Sequence, residues 1–135
     1  MSQVHHPIAP GAYYEDQQAE AARRAEDFRQ ARVPKFFNIF NATIDSNPTQ
    51  SGFLIGKSVT TADLVLFQIV EGLTFAFPRL TKSLQESGEY EKIYTLRDQV
   101  AALPGIKAYL DSDRRKPFSN GIFRNYPELD GELKP

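Results

Sequence analysis

A stripe recurs at steps of three or four from Tyr13 to about Asp45, through Ala21, Ala25, Phe28, Arg32, Phe36, Phe40 and Ile44, apolar except at Arg32, with charged residues between its members. That rhythm predicts a long helix with one apolar face. Pro34 sits inside it, where a missing amide and the steric bias on Val33 predict a kink or short break. DSNPTQSG (45–52) is dense in turn formers and reads as a loop. The FLIGKSV segment that follows is too short to propose a sheet.

A second helix is expected from about Thr61 to Phe77, closed by Pro78. Its sequence ADLVLFQIVEGLTFAF has only Asp63 and Glu71 as charges, so burial on every side is expected. Residues 79–89 predict a short helix ending at a Gly88 turn. A helix over about 90–102 carries Ile93, Leu96, Val100 and then Leu103 as its stripe. Pro104 and Gly105 interrupt it, and IKAYLDSD suggests one or two further turns. The pattern is all-α: a helical body over 13–117, an irregular segment 1–12 before it and an irregular tail 118–135 after it.

The junction GKSVTTADLVLF has a local chemistry of its own. Thr60 and Asp63 have the spacing of a capping box, in which the Thr60 Oγ accepts from the Asp63 amide and the Asp63 carboxylate reaches back to the Thr60 amide. Val59 and Leu64 have the spacing of a hydrophobic staple. Asp63 is thereby committed to amides and not poised for proton transfer.

Composition removes several kinds of chemistry. The 135 residues fit one domain, with 41% hydrophobic content and a formal charge of −1 that gives no field to recruit nucleic acid. Cysteine is absent, which excludes disulfides and thiolate catalysis and favours a cytoplasmic setting. No apolar run approaches the roughly 20 residues of a membrane span, and MSQVHHPIAPG lacks the pattern of a secretory signal. His5 and His6 lack a third ligand at useful spacing, so no metal site is expected. Arg114, Arg115 and Lys116 are read as cations favoured at a helix C-terminus. Tyr13 and Tyr14 lie at a helix start, and Phe118, Phe123 and Tyr126 are spaced through the tail.

FLIGKSVTTADLVLFQIV resembles the turn and buried central helix of the C-terminal all-α domain of glutathione transferases, of the sigma-like fungal and bacterial type. LPGIKAYLDSDRRKPF and YYEDQQAEAARRAEDFRQARVPKFFNIF are similar to flanking segments of that domain. The resemblance covers about residues 4–130 and implies a partial helical bundle of that type. It also implies that the thioredoxin-like domain bearing the catalytic residue is missing, and that HHPIAPGAYYED stands for the linker after a missing first helix.

The expectations follow from that resemblance. The chain is a transferase-like fragment or truncated paralogue, inactive alone, with no catalytic residue and no cofactor of its own; glutathione is the family co-substrate. Tyr13, Tyr14, Phe118, Phe123 and Tyr126 are the candidates for a hydrophobic-substrate pocket. A lost helix would expose an apolar strip and make a homodimer or another protein its partner. The alternatives are an assembly module or a non-catalytic carrier of hydrophobic ligands.

Overall fold

The computed structural model describes residues 2–131, and all of their regular structure is helical. The elements are α1 (Ser2–His5), a 3-10 turn (Tyr14–Gln17), α2 (Gln18–Asp27), a π turn (Phe28–Arg32), α3 (Val33–Ser46), α4 (Thr61–Ala76), α5 (Pro78–Glu86), α6 (Glu91–Ala102), α7 (Pro104–Leu110) and α8 (Pro127–Asp130).

The backbone stays helical from Gln18 to Ser46, without the break expected at Pro34. Val33 keeps helical angles (φ −63°, ψ −51°) and donates to the Phe28 carbonyl five residues back. The wide turn at Phe28–Arg32 loosens the hydrogen-bond ladder just where the proline would otherwise clash and leave a carbonyl unpaired. It also adds a residue to the repeat. Downstream of it Val33 and Phe37 are buried, whereas Arg32 and Phe36, assigned to the apolar face by the simple rhythm, are exposed.

α6 packs against both α3 and α4. The centre of the core is Phe37 from α3, Leu66 and Val70 from α4, and Ile93, Leu96 and Val100 from α6. Prolines start helices here: Pro78 opens α5, Pro104 opens α7 at the expected interruption after α6, and Pro127 opens α8. α4 is not buried on every side, since Leu64 is 37% exposed and Val65 53%.

Both ends of the chain carry more order than their irregular patterns suggested. α1 packs on α2 and buries Val4 and His5. The connection after it is fixed by Gln17, whose buried amide accepts from the Ile8 N–H (3.0 Å) and donates to the Ala9 carbonyl (3.1 Å). α8 packs against α2 and α5. No single helix among the described residues is long and apolar enough to cross a membrane; α4 and α5 pass such a test only as a pair, bent by 117°.

Candidate functional site

The long helix and α4 leave a groove between them of about 420 Å³. Phe28, Phe36 and Phe40 line one wall, Ile69 and Leu73 the other, and Ile122 and Phe123 of the tail lie across it. The π turn builds the first wall: by rotating Phe37 into the core it leaves Phe36 facing out. Gly72 seats the tail, because a Cβ there would collide with the Phe123 ring. Phe118 stacks on Phe75 and meets Phe123 edge-on, and Asn125 donates to the Phe75 carbonyl at 2.8 Å.

The lining is almost wholly apolar, and Arg32 is its one ionisable residue. The Arg32 guanidinium lies 5.2 Å from the Phe36 ring centre. Among the described residues no hydroxyl, imidazole or carboxylate lines the groove, so these walls can hold an apolar molecule but offer no nucleophile or general base.

Of the five residues expected at a hydrophobic pocket, only Phe123 lines this groove, with Phe118 behind it. Tyr13 is 79% exposed. Tyr14 is buried, stacks on Tyr126 with ring centres 3.9 Å apart, and donates to Glu128 at 2.7 Å. Burial first, then that bond to a carboxylate, raises the Tyr14 hydroxyl far above its ordinary value, the opposite of an activated phenolate. Burial likewise pushes Tyr94 up to about 12, its hydroxyl donating to the Thr81 carbonyl.

Thr60 and Asp63 meet in a capping box. One carboxylate oxygen accepts the Thr60 N–H and the Thr60 hydroxyl, each at 2.7 Å, and the other accepts the Leu54 N–H at 2.8 Å. The Asp63 amide itself bonds the Thr60 carbonyl at 3.1 Å, so the strong bond of the threonine hydroxyl is the one it gives to the carboxylate. Val59 and Leu64 are both more than a third exposed and add little buried area at the helix start.

His5 and His6 touch through their Nδ1 atoms at 2.6 Å. Burial lowers His5 to about 4, and neighbouring His6 and Arg124 act in the same direction; the Ile122 backbone opposes this, although it makes no well-formed bond to His5 Nε2. Among the described residues no group of three His, Asp or Glu could hold a metal ion. α7 ends at Leu110, so Arg114, Arg115 and Lys116 lie beyond its last turn; Arg115 sits over the Phe118 ring instead.

The groove residues Phe28, Phe36, Phe40, Ile69, Leu73 and Ile122 were not singled out from sequence, because a helical stripe reads first as core. The signal was the aromatic excess of FFNIF, which supplies more rings than one buried face can take. Residues 2–113 match the family model described as glutathione S-transferase, C-terminal domain. Comparison with curated proteins gives no match.

Proposed function

Because the chain belongs to the glutathione S-transferase C-terminal domain family, we propose that it serves as the hydrophobic-ligand-binding part of a glutathione-transferase-type protein. It holds apolar compounds, including electrophiles of the kind the family conjugates to glutathione, and contributes no nucleophile of its own. The apolar groove under the tail carries this reading: its size suits a small aromatic molecule and its walls lack reactive groups. A cytoplasmic setting belongs to the same proposal, supported by the absence of cysteine.

The test is displacement of an environment-sensitive apolar dye by a chloronitrobenzene. Saturable displacement is expected, with Ile69→Asp abolishing it while the helical circular dichroism persists. The same purified chain should not conjugate glutathione to that compound. Turnover above the uncatalysed rate would overturn the non-catalytic part, and dye binding unaffected by Ile69→Asp would overturn the groove.

A second reading, an assembly module, is favoured by the 49% exposure of Ile39 together with exposed Phe36, Leu64 and Val65. Sedimentation equilibrium would detect self-association, and Val65→Lys should weaken it.

A further inference from the structure

The seam where α1 meets the turn at residues 120–124 is a second hollow, of about 320 Å³, lined by His5, His6, Pro10, Asn120, Gly121 and Arg124 among others. A neighbouring hollow shares His6 and Pro10 with it and extends to Arg24. Among the described residues no carboxylate lines either one. In a chain with 17 acidic and 16 basic residues, such a wall is not the product of a basic composition.

We propose that this seam binds a small oxyanion of the phosphate or carboxylate type. Three features converge on that ligand. Arg124 is held in place by its Nε bond to the Gly121 carbonyl (3.2 Å) and has no carboxylate partner among the described residues. Arg24, at the other end, has only a long 3.9 Å pairing with Asp27, both side chains largely exposed. Asn120 lines the first hollow and the His6 ring lines both, and each can add a donor.

The histidines give the site a proton linkage. In the Nδ1–Nδ1 contact one ring donates and the other accepts, so the pair shares one proton. Burial first, and then neighbouring His6 and Arg124, disfavour a positive charge on His5 and lower its value. An oxyanion reverses that balance, and its binding therefore takes up a proton from solution.

The walls are rigid enough to be preorganised. Gln17 pins the loop carrying Pro10, while the Asn125 bond to α4 and the Tyr14–Tyr126 stack pin the tail side. This site adjoins the apolar groove through Ile122, which lines both, and its test is independent of glutathione.

The chain has two histidines, so imidazole NMR reports on the seam directly. Inorganic phosphate and malonate are titrated at pH 6, with sodium chloride at matched ionic strength as the control. Saturable shifts of the histidine rings are expected with phosphate, malonate or both, accompanied by proton uptake measured calorimetrically in two buffers. Arg124→Gln should weaken binding roughly tenfold, the loss of one charge-assisted bond. Arg124→Lys should retain most of the affinity, and Arg114→Gln, outside the seam, should retain all of it. Shifts that chloride reproduces, or full affinity in Arg124→Gln, would overturn the proposal.

Discussion

Asp63 and Asp130 are both shut away from water, and each accepts two backbone amides at or near a helix start. Asp63 draws its partners from the nine residues before it, Leu54 and Thr60. Asp130 reaches back about fifty residues to the amides of Arg79 (2.7 Å) and Leu80 (3.2 Å). The need at α5 follows from its own sequence. Its N-cap is Phe77, which has no side-chain acceptor, and its first residue is Pro78, so the orphan amides begin at Arg79. A carboxylate from the tail supplies what the local sequence lacks. The same capping chemistry thus closes a local junction in one place and ties the chain's end to its middle in the other. Arg29 strengthens that tie by donating to the Leu129 carbonyl, in space that any side chain at Gly131 would fill.

The comparison can be broken at either end. Asp63→Ala should have the largest effect, about 3 kcal/mol in urea denaturation, because two amides and a hydroxyl lose a buried charged acceptor. Asp130→Ala should cost about 2 kcal/mol for its two amides. It should also speed proteolysis within 118–131 well before global unfolding, which Asp63→Ala should not do. Equal tail cleavage in both variants would mean that the long-range cap is not what anchors the tail.

The seam beside the tail has a pH dependence of its own. His5 titrates at about 4 when folded, against an ordinary 6.5, so the unfolded chain binds its proton at higher pH than the folded one. Stability from this residue is therefore flat above 6.5 and declines as pH falls toward 4. The slope is at most about 1.4 kcal/mol per pH unit, or about 2 kcal/mol between pH 6.5 and 5. Melting curves across that window should show the decline, and His5→Gln should flatten it. The smallest effect belongs to Thr60→Ala, about 1 kcal/mol, since Asp63 keeps its bonds to the amides of Leu54 and Thr60.

The same contrast explains what was legible in the sequence. The Thr60–Asp63 spacing, the buried stripe Ile93, Leu96 and Val100, and the all-helical architecture depend on neighbours within a few positions, which periodicity and capping chemistry record. The cap from Asp130, the seat of Phe123 on Gly72 and the contact of His5 with Tyr126 depend on pairings across about fifty residues or more, and a single sequence leaves no mark of those. The groove fell between the two. Its aromatic residues were visible, but which of Phe36 and Phe37 faces outward depends on the wide turn before Pro34, and regular helical spacing selects the wrong one.

That turn makes the long helix behave like a screw whose phase is set at one thread. Loops absorb an extra residue by slackening, but a helix converts it into rotation, about 100° for each residue. Deleting one residue within 28–32 would only close the wide turn to an ordinary α turn with Val33 and Phe37 still inward, whereas inserting one more would leave the composition of the groove nearly intact and turn everything beyond it. Phe36 would then swing toward the core and Phe37 away from it. The capacity to hold an apolar ligand is thus encoded in a count of residues along one helix as much as in their identity.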